Sequence, residues 1–160
     1  MAVRYIDRIT QHYERMGYAP YRWFTADDTP PWAQLRKPIS QMKLGMLSTA
    51  GAYVAGQRAF HYKDDTSIRE IPSDTPADQI RFAHITEGYL VNPRRDPDCI
   101  LPLFALRRLT REGVIGGLAE RALSCMGGIY SQRRVSQELI PAVAAAFAAQ
   151  EVDAVLLVPM

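Results

Sequence analysis

The chain has 160 residues and 18.0 kDa, room for one domain with a real core, and 48% hydrophobic against 22% charged residues excludes both intrinsic disorder and a fibrous repeat. With Lys+Arg 19 and Asp+Glu 17 the formal charge is +2, too balanced for a nucleic-acid partner, and the pairs Arg94-Arg95, Arg107-Arg108 and Arg133-Arg134 lack interleaved aromatics and read as solvated faces. The opening residues do not form a secretory signal, no apolar run approaches the ~18 residues of a membrane span, and Cys99 and Cys125 form no CxxC; the expectation is a cytoplasmic chain with no membrane segment and no disulfide framework.

Val3, Ile6, Ile9, Tyr13 and Met16 recur at spacings of three and four and predict a helix that Gly17 ends. From Tyr18 to Pro38 the prolines and the rings of Tyr18, Tyr21, Trp23, Phe24 and Trp32 predict an irregular arm, so residues 1–38 read as helix plus arm and residues 39–160 as an α/β domain. Lys43 to Ser48 reads as a buried strand running into a tight turn at Thr49-Ala50-Gly51. Ser67 to Ile71 and Gln79 to Ile85 alternate apolar and polar, as half-buried strands do. A helix follows from about Asp96 to Glu112, stopped by Gly113, and then an extended stretch near Ala119 to Cys125. Ser131 to Gln150 is a further helix, with Val135, Leu139, Ile140, Val143 and Phe147 facing inward and Pro141 either kinking or splitting it. The run Ala154 to Val158 has the composition of a central parallel strand covered on both faces. A helix feeding such a strand is half of a βαβ unit, so the fold class is α/β: a mostly parallel sheet flanked by helices, an incomplete Rossmann-like domain. In such sheets ligands collect beyond the carboxyl ends of the strands.

Several residues qualify for chemistry. GxGxxG and the P-loop are absent, but the turn holding Thr49 and Gly51 either presents backbone donors to an anion or is a plain turn after a strand. His12, His61 and His84 show no metal-ligand spacing, so no metal is expected. His84, near a strand end, suits a carboxylate partner or a proton shuttle, and equally a structural role. His61 to Pro72 is dense in ionisable side chains and hydroxyls: Asp65 and Ser67 can close an Asx or ST turn and Arg69 can grip a carboxylate, or the whole can be a self-satisfying ion network on a surface hairpin. Cys125 has no basic neighbour to activate it and reads as a small buried hydrophobe.

The ordered set Asp64-Asp65-Thr66-Ser67-Ile68-Arg69-Glu70-Ile71-Pro72, then His84, Gly113-Val114-Ile115-Gly116-Gly117-Leu118 and Ser124-Cys125-Met126-Gly127 resembles the selenoprotein B family of glycine, sarcosine, betaine and D-proline reductases, from about Leu44 to Met160. The resemblance implies reductive cleavage of a C–N bond α to a carboxylate by a selenocysteine or cysteine that follows the strand Ala154 to Val158 and so lies beyond Met160. A selenol suits the task because it is ionised at neutral pH, whereas a thiol with a pKa of about 8.5 is mostly protonated. It also implies a small amino acid or N-methylated relative as substrate, partner subunits of which one carries a pyruvoyl group, and no cofactor in this chain. Carried over by position, Asp65, Ser67, Arg69 and Glu70 form the substrate-side motif and His84 is an acid or base beside it. The 160 residues alone would then be inactive, the amino-terminal part of a reductase component. The rival expectation is a non-catalytic α/β module that binds a small carboxylate or a partner subunit, and either could form a homo-oligomer through an open sheet edge.

Overall fold

The computed structural model of the protein describes residues 4–20, 25–31 and 33–160. Val3 of the expected helix and Tyr21, Trp23, Phe24 and Trp32 of the arm lie outside the described residues. The chain divides into two compact units, Met1–Gln34 and Leu35–Met160.

In the first unit α1 (Tyr5–Arg15) carries Ile6, Ile9 and Tyr13 at helical spacing, and none of its residues is buried. Gly17 ends it for a stereochemical reason: its φ of +84° is left-handed, which lets Gly17 N–H reach Glu14 O at 2.9 Å and Tyr18 N–H reach Tyr13 O at 3.1 Å. These are the paired bonds of a Schellman cap, and the accompanying apolar contact is the edge-on packing of Tyr13 and Tyr18 at 6.0 Å.

The second unit is α/β. Its strands are β1 (Lys43–Ser48), β2 (Ala52–Val54), β3 (Arg69–Pro72), β4 (Ile80–Phe82), β5 (Gly117–Leu118), β6 (Arg121–Ser124) and β7 (Ala154–Val158). Its helices are α2 (Val91–Arg95), α3 (Leu103–Arg111), α4 (Gln132–Arg134) and α5 (Ile140–Ala149). β1 is the centre of a mostly parallel sheet. It pairs with β7 on one side, from Leu44↔Ala154 to Ser48↔Val158, and on the other with β5 at its start and β6 at its end. β3 adds antiparallel to β6, and β2 with β4 makes a separate antiparallel ladder.

The sequence accounts for the central place of β1: Leu44 and Met46 are buried, and Gly45 lets α5 lie flat on the strand, since a Cβ there would sit 2.8 Å from Phe147 Cε1. Lys43 and Asp153 fix the register by exchanging bonds, Lys43 N–H to Asp153 Oδ2 at 2.7 Å and Asp153 N–H to Lys43 O at 2.9 Å. Ile71, Leu101, Leu103, Leu106 and Leu123 fill the interior, each buried side chain of this size contributing roughly 1.5–3 kcal/mol. The buried hydroxyls of Ser48 and Ser124 are satisfied locally, Ser48 donating to Ile100 O and Ser124 accepting from Ala52 N–H, both at 2.8 Å.

One expectation is corrected, and of the two alternatives left open at Pro141 the split is set aside. β7 is not an interior strand covered on both faces: β1 is its one strand partner among the described residues, and Leu157 is 65% exposed. The long helix is not split at Pro141. α4 runs through a π turn (Val135–Leu139) into α5, and the wide turn lies just before the proline, whose missing N–H leaves the carbonyl four residues earlier without its usual donor.

Candidate functional site

β1, β6 and β7 point their carboxyl ends the same way, and two groups of polar residues stand beyond those ends. The first is the loop from Arg58 to Arg69. Arg69 opens β3 opposite Ser124, the last residue of β6. Its guanidinium is already engaged: Nε donates to Arg58 O at 2.7 Å, one terminal nitrogen to Ser67 Oγ at 2.8 Å and Ile68 O at 3.0 Å, the other to Ala59 O at 3.3 Å, and the plane stacks on Phe60 at 4.3 Å. One of its five N–H groups is left over. Asp65 closes an Asx turn, accepting from Ser67 N–H at 2.9 Å, from the Ser67 hydroxyl, and from His61 N–H at 2.8 Å. Burial pushes its carboxyl up, but the bonds from Ser67 and His61 and the charge of Arg69 outweigh that and hold it below the usual range. Arg58, His61, Asp65, Ser67 and Arg69 line a cavity of about 470 Å³.

Glu70 does not join them. On a strand successive side chains alternate faces, and Glu70 pairs instead with Arg121 at 2.7 Å. Residues that the sequence reading did not single out anchor the loop to the following helix: Asp64, at φ +46°, accepts from Tyr130 and Ser131 N–H at 2.8 and 3.1 Å, while Arg134 donates to Asp64 O and to Thr66 Oγ1. Glu138 completes the knot with Thr66 at 2.8 Å. The readable signal for this was the Arg134/Glu138 pair at i,i+4.

The second group brings Thr49, Gly51 and His84 together. Gly51 has φ +64° and lies so close to the strand after β4 that a Cβ would fall 2.1 Å from Ala83 O. The turn offers no free donors to an anion: Thr49 N–H bonds Val158 O, Ala50 N–H bonds Ser48 Oγ, and Gly51 N–H bonds Cys125 O. The Thr49 hydroxyl clasps the main chain after β7 instead, accepting from Met160 N–H at 2.8 Å.

His84 is 7% exposed. Its Nδ1 accepts from Thr86 N–H at 3.1 Å and lies 2.6 Å from Thr86 Oγ1, whereas its Nε2 is buried with no hydrogen-bond partner among the described residues. Burial pushes the imidazole down, Glu87 opposing, so it is neutral at pH 7. Nε2 lies 3.1 Å, Met160 O 2.8 Å and Thr49 O 3.0 Å from the point that a Cβ on Gly127 would occupy. Gly127 is therefore the residue whose missing side chain lets this corner exist; the sequence reading had it inside a motif without a role. The exposed β7 thus ends beside His84, although it runs along the sheet edge.

Neither thiol sits in a setting that favours the thiolate. Burial pushes Cys125 up to about 11, and burial with the nearby Asp96 raises Cys99, the opposite of what activates a thiolate. Among the described residues no group of three or more His, Cys, Asp or Glu could hold a metal ion, and no helix is long and apolar enough to cross a membrane.

No solved structure matches the chain. Among curated proteins it is similar to the D-proline reductase subunit gamma of Acetoanaerobium sticklandii, 32% identical over 132 residues that cover 81% of this chain and 54% of that protein. The chain thus spans about half the length of the curated relative it matches. The family model described as glycine/sarcosine/betaine reductase selenoprotein B matches residues 41–159, the whole of the sheet and both polar groups at its rim. With that much of the chain matched, the protein belongs to the glycine/sarcosine/betaine reductase selenoprotein B family.

Proposed function

We propose that the chain forms the substrate-side α/β portion of a reductase component that cleaves the C–N bond of glycine, sarcosine, betaine or a proline-like substrate at the carboxyl ends of β1 and β7. One observation carries this: a histidine more than nine-tenths buried keeps an unpartnered ring nitrogen beside the main chain that leaves β7. Placing a buried polar atom without a partner costs about 1–3 kcal/mol, which makes sense where a reacting group is to be met.

In this reading the nucleophile is a selenocysteine or cysteine following β7, held in place by the Thr49 clasp, with His84 as the acid or base facing it. The polar cavity of Arg58, His61, Asp65, Ser67 and Arg69 recognises the substrate carboxylate, Arg69 being fixed in advance by the carbonyls it already bonds. A pyruvoyl group, which the family resemblance suggests for a partner subunit of a cytoplasmic complex, would be held by that subunit and supply a carbonyl for the substrate amine. Exposed apolar side chains on the singly paired β7, Leu157 above all, support docking of further polypeptide along that edge.

Two measurements test the reading. The coding sequence beyond Met160 should continue in frame through a selenocysteine or cysteine codon. In the complex reconstituted with its partner subunits, His84→Ala should lower amino-acid-dependent reductase turnover by about 10²- to 10⁴-fold. Full turnover in that variant would remove His84 from the reaction, and the absence of any nucleophile codon would leave the chain as a binding module.

A further inference from the structure

The cavity of Arg58, His61, Asp65, Ser67 and Arg69 holds one cation that has no partner among the described residues, and this deepens the proposed function by naming the residue that grips the ligand and the group it reads. Of the two guanidiniums, that of Arg69 is committed: four of its five N–H groups go to Arg58 O, Ser67 Oγ, Ile68 O and Ala59 O. Asp65, the carboxylate of the lining, already accepts from His61 N–H and from the N–H and hydroxyl of Ser67, and the charge of Arg69 acts on it as well. The Ser67 hydroxyl donates to Asp65 and accepts from Arg69 at 2.8 Å. Arg58 differs. Among the described residues its side chain makes no hydrogen bond and no ion pair, while its carbonyl is held at 2.7 Å by Arg69 Nε–H. The backbone of Arg58 is thus fixed at the cavity wall and its two-pronged side chain is uncommitted.

With Arg58 and Arg69 counted positive, Asp65 negative and His61 neutral, the lining carries a formal charge of +1. A single carboxylate cancels that charge, and its two oxygens match the edge of a guanidinium. The amine end of an amino acid finds much less, because its natural acceptor, Asp65, already holds three donors and has Arg69 beside it. We propose that Arg58 is the residue that binds the carboxylate in this cavity, and that the cavity reads the carboxylate alone, so that primary, methylated and ring amines are told apart elsewhere. The inference rests on the proposed reading of this cavity as the place of the substrate carboxylate.

Arginine side-chain NMR of the chain tests it. Acetate, glycine, betaine and inorganic phosphate are titrated while the Nε and Cζ signals of Arg58 and Arg69 are followed. Acetate should shift the Arg58 signals saturably and leave those of Arg69, whose Nε–H is tied to Arg58 O, nearly still. A larger shift at Arg69, or no saturable shift at Arg58, overturns the assignment. Glycine and betaine, of which betaine has no N–H to donate, should bind no more than about threefold tighter than acetate. A larger preference for glycine means that the amine is read and overturns the proposal, as does phosphate binding more than about tenfold tighter than acetate. Arg58→Gln should weaken acetate about 10- to 100-fold and, because this side chain braces nothing in the fold, leave the urea midpoint unchanged. Acetate binding in that variant equal to the native chain overturns the role. If acetate binds at Arg58 and yet Arg58→Gln leaves KM and turnover of the reconstituted complex unaltered, the assignment stands and the proposed function loses this cavity. If the variant impairs turnover while acetate perturbs Arg69 instead, the assignment fails and the proposed function stands.

Discussion

The loop of residues 58–69 and the corner at His84 stand beyond the same strand ends and are built from similar residues, yet they treat their polar groups in opposite ways. In the loop nearly every donor has an acceptor: Arg69 spends four N–H groups on its surroundings and Asp65 takes three. At the corner a side chain buried as deeply as the core keeps a nitrogen unmatched. A saturated group is held still, whereas an unsatisfied buried one costs free energy that the fold recovers elsewhere. The loop is thus a well-braced wall, and the corner carries a cost that the wall does not. This difference can be attacked one residue at a time.

The largest effect is expected at Gly51, which joins the corner to β2. Gly51→Ala places a methyl group 2.1 Å from Ala83 O at a φ of +64°. Left-handed backbone alone costs a residue with a Cβ roughly 1–2 kcal/mol, and the clash brings the total to about 3 kcal/mol or more, read as a lowered urea midpoint. Arg69→Lys comes next. The ammonium keeps the charge but cannot span Arg58 O, Ala59 O and Ile68 O, so a loss of about 2 kcal/mol and faster proteolysis within the 58–69 loop are expected. An unchanged midpoint would show that the wall is not held by this side chain. Thr49→Val removes the clasp on Met160 N–H at a cost of about 1 kcal/mol, and hydrogen exchange should accelerate at the carboxyl end of β7 while the 58–69 loop stays protected.

How far these roles were legible in the sequence depends on the range of the interaction. The helix ending at Gly17, the strand Lys43–Ser48, the Asx turn at Asp65 and the α/β class all follow from neighbours a few residues apart. The edge position of β7 does not, because an apolar run of that kind says only that it avoids water, and which strand takes the centre is settled by Gly45 accepting Phe147 across the sheet. Arg69 was legible as a two-pronged donor, but its acceptors are main-chain carbonyls that exist only once the loop has closed. Glu70 was grouped with Arg69 by adjacency and separated from it by the pleat. Gly127 carried no local signal for its role: its φ is not left-handed, and what forbids a side chain there is the convergence of residues 49, 84 and 160.

The smallest effect is a slope, not a step, and it bears on the corner alone. Burial depresses the His84 imidazole in the folded chain, with Glu87 offsetting part of the shift, while the unfolded chain keeps the ordinary value near 6.5. As pH falls the unfolded chain therefore binds this proton first. The contribution of His84 to stability is complete above about pH 6.5 and is lost as pH drops through the folded pKa. Urea midpoints measured from pH 7.5 down to pH 5 should decline in the native sequence and decline less in His84→Gln, which cannot titrate. The same comparison on Asp65→Asn separates the two regions: that carboxyl is depressed below the usual carboxylate range, so its contribution persists through pH 5 and fades only at lower pH. If His84→Gln follows the native curve over the upper range, the imidazole is not held neutral by burial. The buried unpaired nitrogen would then be a charged group in disguise, and the contrast between wall and corner would fail at the residue it was built on.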